Sequence, residues 1–104
     1  MVNRHRGEIE VSLDGRTWKL CLTLGALAEL ESSLGTDGLS GLAQHLTSGR
    51  LTAGEMLKII GAGLRGAGHT LTDDEIKEMQ AEAGAVGYVQ IVSQLLNATF
   101  GAEA

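Results

Sequence analysis

The feature that most constrains this chain is the pair Asp14–Gly15, set between two runs that alternate apolar and polar residues. Before it, GEIEVSL alternates Ile9, Val11 and Leu13 with Glu8, Glu10 and Ser12. After it, RTWKLCL alternates Trp18, Leu20 and Leu22 with Thr17, Lys19 and Cys21. Asp-Gly is a favoured type I′ hairpin loop, because both central residues must take positive φ. A loop of that length fixes the register. Leu13 then faces Arg16, Val11 faces Trp18, Glu10 faces Lys19 and Ile9 faces Leu20. One face pairs apolar with apolar and the other carries an opposite-charge pair, so pattern and turn agree. The sequence therefore predicts a β-hairpin over about residues 7–22. By its parity Cys21 is expected on the outer face, incidental to any chemistry.

A lone hairpin is marginal in water, so its apolar face has to be covered by the rest of the chain. The rest reads as helical. TLGALAELESSLG sets Leu24, Leu27, Ala28, Leu30 and Leu34 at helical spacing, with Thr23 as cap and Gly35 as stop. TDGLSGLAQHLTSG predicts a shorter helix that buries Leu39, Leu42 and Leu46 and ends at Gly49. Two capping boxes follow, Thr52 with Glu55 and Thr72 with Glu75. The first opens a helix through Met56, Ile60, Gly63 and Leu64, the second one through Ile76, Met79 and Ala83. In GAVGYVQIVSQLLNATF, Val89, Val92, Leu96 and Phe100 form one stripe with Tyr88, Ile91 and Leu95 beside it. So wide an apolar face suits a central helix or one awaiting a partner. The expected fold is α+β: a hairpin, then a bundle of four or five short helices over residues 23–101, all in a single domain 1–104.

Composition narrows the function classes. Eight Lys and Arg against 13 Asp and Glu give a net charge of −5, which argues against a broad nucleic-acid footprint. The basic cluster Arg4–Arg6 reads as a solvated tail, with a contact arm as the alternative. One cysteine excludes an internal disulfide. His5, His45 and His69 have no second ligand at metal-binding spacing, so no metal site and no cofactor are expected. No apolar run approaches the about 20 residues that span a bilayer, and the expected setting is the cytoplasm. With 15 glycines, no proline and only Trp18, Tyr88 and Phe100 as aromatics, the core must come from Leu, Ile, Val, Ala and Met.

Two motifs look sharper than they are. GAGLRG, Gly61–Gly66, spells the G-x-G-x-x-G of dinucleotide sites, but that motif needs a strand before it and a helix N-terminus after it. Here the preceding residues begin at a capping box, so the glycines belong to the body of a helix. Gly61, Ala62 and Gly63 are better read as a close helix contact, and Gly66 and Gly68 as the turn after it. LTDDEIKEMQAEA resembles the entering helix of an EF-hand, yet the following GAVGYVQIVSQL offers no carboxylate for calcium. Asp73, Asp74 and Glu75 fit instead as first-turn acids favoured by the helix dipole. Glu29 and Glu31 are read as marking a solvated side, and no Ser, Cys or His stands in a recognised nucleophile context. The chain is expected not to be an enzyme.

Three stretches together, NRHRGE, LTLGALAELESSLG and IIGAGLRGAGHTLTDDEI, resemble the small gene transfer agent family protein of alphaproteobacterial phage-like tail clusters and related prophages. That family is grouped with phage tail assembly chaperones, and some descriptions call it a tail tube component. The resemblance implies a non-catalytic role in building a tail. As a chaperone the chain would bind other tail proteins, above all the tape-measure protein. The alternatives are a structural tube component retained in the particle, and a small helical adaptor or regulatory module. The candidate partner surface is the C-terminal helix through Tyr88, Ile91, Leu95 and Phe100, the bland alternative being plain core. A hairpin edge pairing with another copy is a second candidate, which would make a homo-oligomer.

Overall fold

The hairpin forms with the register read from the sequence. In the computed structural model, which describes residues 7–101, β1 (Glu8–Leu13) and β2 (Arg16–Cys21) pair antiparallel. Ile9 lies opposite Leu20, Glu10 opposite Lys19, Val11 opposite Trp18 and Leu13 opposite Arg16. Asp14 and Gly15 both take positive φ, 55° and 71°, as the type I′ loop demands. The basic cluster Arg4–Arg6, with His5, lies outside the described residues.

Five helices follow among the described residues: α1 (Leu24–Leu34), α2 (Gly38–Leu46), α3 (Ala53–Gly66), α4 (Asp73–Ile76) and α5 (Ala85–Phe100). The architecture is α+β, with α3 packed on β2 and α1 while α5 crosses β1 and α3. The core lies between the apolar hairpin face and these helices, and its fully enclosed side chains include Ile9, Leu13, Leu20, Leu30, Leu64 and Leu95.

The ends of the helices follow local chemistry. Thr23 Oγ1 accepts from Ala26 N to open α1, and Gly35 closes it in the left-handed region. Both capping boxes are complete, so Thr52 opens α3 and Thr72 opens α4. Glu55 does more than cap. Its Oε1 accepts from Thr52 N, and its Oε2 lies 2.7 Å from His45 Nε2, which ties α2 to the start of α3. The Thr52 amide, and after it His45, hold the Glu55 carboxyl below its ordinary value of 4.5. A carboxyl lowered in the folded state contributes stability above its unfolded pKa and loses that contribution as pH falls through the folded one. Glu55→Gln is therefore expected to flatten the loss of stability below about pH 4.5. Urea midpoints across that range measure it, and an unchanged acid limb would contradict it.

Several expectations need correction. Leu24 is 79% exposed and Ala28 is exposed, while Ala26 and Leu30 face the core, so the buried stripe of α1 is rotated from the one expected. Leu39, expected inside, is 53% exposed. The helix opened by Thr72 ends at Ile76 instead of reaching Ala83, because the chain turns to bring Ala81 into an antiparallel bridge with Leu13. Asp14 holds that turn from both sides: its amide donates to Gln80 O at 2.8 Å, and its Oδ1 accepts from Gln80 N at 2.9 Å. Cys21 is buried although its parity is that of the outer face, because the backbone of α3 lies against its carbonyl at Gly66. Lys19 Nζ reaches Glu8, 4.0 Å away on the diagonal.

Candidate protein-binding cleft

The glycines of the dinucleotide-like motif lie within α3, as helix body, and serve close packing. A Cβ on Gly63 would come 2.8 Å from Leu95 Cδ2 and 3.2 Å from Leu20 Cδ2. One on Gly61 would come 2.7 Å from Asp73 Oδ1. Gly66 is the last residue of the helix, where the sequence suggested a turn, and a Cβ there would overlap the Cys21 carbonyl oxygen. The segment packs against side chains of β2, α4 and α5 and against the strand backbone at Cys21, as the body of a helix.

Arg65, the charged residue of the same motif, is committed internally. Its Nη2 and Nε donate to the Glu29 carboxylate of α1, and Nη1 donates to Leu71 O at 2.9 Å. Asp73 Oδ1 completes the cluster, 3.1 Å from Nη1, as an ion pair whose N–H is poorly aligned. Glu29, with Asp73 adding to it, holds the guanidinium proton more firmly than usual. Glu29 is thus one end of a clamp joining α1, α3 and α4, where the sequence suggested a solvated face. Arg65→Met would leave Glu29 and the Leu71 carbonyl without this donor, and it is expected to lower stability by about 1–2 kcal/mol. Chemical denaturation reads this directly, and a loss under about 0.3 kcal/mol would show the clamp to be incidental.

No three His, Cys, Asp or Glu side chains gather to hold a metal among the described residues. His45 is taken up by Glu55, and the His69 ring stands edge-on to Trp18 at 5.0 Å between centroids. What the surface does offer is an apolar cleft of about 430 Å³ between the first halves of α3 and α5. Leu13, Ile60, Ile76 and Met79 form its inner lining, Met56 and Leu57 stand on α3, and Tyr88 and Val89 stand on α5. Tyr88 is positioned by a hydrogen bond from its hydroxyl to Met79 O at 2.7 Å, so its ring is fixed with no polar group left unsatisfied. Met56 and Val89 also border a second groove of about 280 Å³, which continues the apolar strip to Leu51 and Leu96. Val86 and Val89, 60% and 48% exposed, add to this face of α5.

Of the four residues expected to bind a partner, Tyr88 lines the cleft. Ile91 and Leu95 are buried in the core, Leu95 completely, and Phe100 is half-buried at the far end of α5. Met56, Leu57, Met79 and Val89 escaped the sequence reading as a surface, because their spacing is that of ordinary core positions. The cleft joins residues from four separate segments of the chain, and no local signal marks them.

The arrangement is therefore an apolar cleft of aliphatic side chains, two methionines and one anchored aromatic ring, with the chemistry to receive an apolar side chain or helix face. No helix among the described residues is long and apolar enough to cross a membrane. No curated protein and no solved structure matches the chain. The sequence pattern of the family described as "Phage tail tube protein, GTA-gp10" matches residues 6–102. A match over nearly the whole length places the chain plainly: it belongs to the phage tail tube protein, GTA-gp10 family.

Proposed function

We propose that this chain is a non-catalytic structural component of a phage-type tail, retained in the particle and working by contact with other tail proteins. The observation that carries this reading is the family match over residues 6–102, whose description is that of a tube protein. The apolar cleft between α3 and α5 is the surface through which a neighbouring tail protein would be held. Quantifying this chain in purified particles tests the reading. A structural component is present in fixed ratio to the other tail proteins, whereas depletion to background excludes it.

A second reading is favoured by the cleft itself. An open, methionine-bordered apolar groove on a small acidic domain is what an assembly chaperone needs to hold an amphipathic helix of the tape-measure protein. Such a chaperone binds in the cell and is absent from finished particles. The same particle measurement separates the two roles. Val89→Asp, a change on an exposed position, is the matching variant, expected to weaken either contact while leaving the fold intact.

A further inference from the structure

The apolar cleft and the groove that continues it meet at Met56 of α3 and Val89 of α5, which border both. On α5 the cleft takes Ala85, Tyr88 and Val89, and the groove takes Val89, Val92, Ser93 and Leu96. The second opening is therefore displaced along α5 by one to two helical turns, about 6–10 Å. Two sockets with a pair of side chains between them suit discrete knobs. A helix presenting large apolar residues at i and i+4 or i+7 repeats that spacing. A single alkyl chain would have to cross Met56 and Val89 to use both.

Charge selects the helix that fits. No Asp or Glu of the described residues lines either opening. Lys77 lines the first. Its ammonium meets Asp74 at 3.2 Å in a solvent-exposed pair, which leaves donors for another carboxylate. Gly49 and Leu51 line the second opening, and between them Arg50 stands exposed, with no carboxylate of the described residues paired to it. A chain of net charge −5 thus keeps carboxylates out of its apolar trough and sets one cation by each socket.

We infer that the trough receives an acidic amphipathic helix of a partner protein. Two large apolar side chains, one to two turns apart, fill the sockets, and carboxylates just outside them face Lys77 and Arg50. This deepens the reading of the cleft as the contact surface for a neighbouring tail protein, and rests on it. The apolar anchors supply the affinity, and the two cations supply the choice of partner. A basic helix is attracted by the net charge of the chain, yet in the trough it would set like charges together at both sockets, which discriminates against it.

The test is fluorescence anisotropy of stapled helical peptides, about four turns long, titrated with the purified full chain. Two of them share leucines at i, i+4 and i+7 and differ in carrying glutamates or lysines beside them; another keeps the glutamates and has alanine for each leucine. The acidic leucine peptide is expected to bind about tenfold more tightly than the basic one at low salt, with the gap closing as salt rises. The alanine peptide is expected to bind at least about tenfold more weakly. Arg50→Glu combined with Lys77→Glu, two exposed positions, is expected to reverse the preference while circular dichroism stays unchanged. Equal or tighter binding of the basic peptide, no binding of the acidic one up to about 1 mM, or a preference that survives the reversal would each overturn the inference. So would displacement of the acidic peptide by a lower concentration of dodecanoate, which would make the trough a site for amphiphiles. Incorporation of Val89→Asp into particles keeps the two readings apart. Its exclusion alongside a failed peptide test sinks the acidic helix alone, whereas normal incorporation sinks the cleft as a contact surface.

Discussion

Leu95→Asp is expected to yield no folded protein at room temperature. Leu95 is fully enclosed, in contact with the glycine face of α3 at Gly63 and near Leu20 of the hairpin. Truncating such a leucine costs about 2–5 kcal/mol through lost burial and the cavity left behind. An unpaired carboxylate adds several kcal/mol more, or else takes up a proton at similar cost. The sum is comparable to the about 5–15 kcal/mol that holds an ordinary domain together. Leu95→Met, nearly equal in volume, is expected to lose under about 1.5 kcal/mol and separates loss of packing from loss of the site. Thermal melts followed by circular dichroism decide it. A cooperative melt of Leu95→Asp close to that of the native chain would mean that α5 does not pack as described.

Gly66→Ala is the second large effect, and its sign is the informative part. By helix propensity alone, exchanging a helical glycine for alanine stabilises by about 1 kcal/mol. Here the new methyl would occupy the space of the Cys21 carbonyl oxygen, and a strand backbone cannot move aside as a flexible side chain can. The expected result is a loss of about 3 kcal/mol or more, which for a chain of this size lowers the melting temperature by roughly 10–20 °C. Gly41 in α2 is the control. A Cβ there meets nothing within 4 Å, so Gly41→Ala is expected to gain about 0.5–1 kcal/mol. Opposite signs at two helical glycines would identify contact as the reason for Gly66. A stabilised Gly66→Ala would refute the close approach of α3 to β2.

The hairpin register was legible because period, turn and charge pairing all specify one pairing, and a slip of one residue would invert its faces. Caps were legible for the same local reason: Thr23, Thr52 and Thr72 each accept from the amide three residues on. What the sequence hid depends on distant parts of the chain. The first two turns of α1 each offer both a leucine and an alanine, so Leu24 and Ala26 compete for the core and only the position of α3 decides. LTDDEIKEMQAEA has good helix formers throughout, yet Asp14 captures Gln80 and Leu13 captures Ala81, and these contacts end the helix early. Cys21 is buried by a helix that its strand pattern cannot foresee. Arg65 looked like one letter of a nucleotide fingerprint, and its clamp partner Glu29 lies in a different helix. The candidate cleft was the least legible part. Helical spacing marked Tyr88, which lines it, but equally Ile91 and Leu95, which are buried in the core.

The resemblance carried by NRHRGE, LTLGALAELESSLG and IIGAGLRGAGHTLTDDEI led to the same family that the match over residues 6–102 establishes. Within that family, the apolar cleft between α3 and α5 is the surface proposed for contact with another tail protein. The central claim is that it stays where it is placed. The most direct measurement is the absolute amount of this chain in purified particles, by quantitative mass spectrometry against the other tail proteins. A structural component is expected in a constant ratio to the other tail proteins from one preparation to the next. Its depletion from finished particles, with recovery bound to the tape-measure protein in the producing cell, would contradict the structural role and assign the cleft to assembly instead.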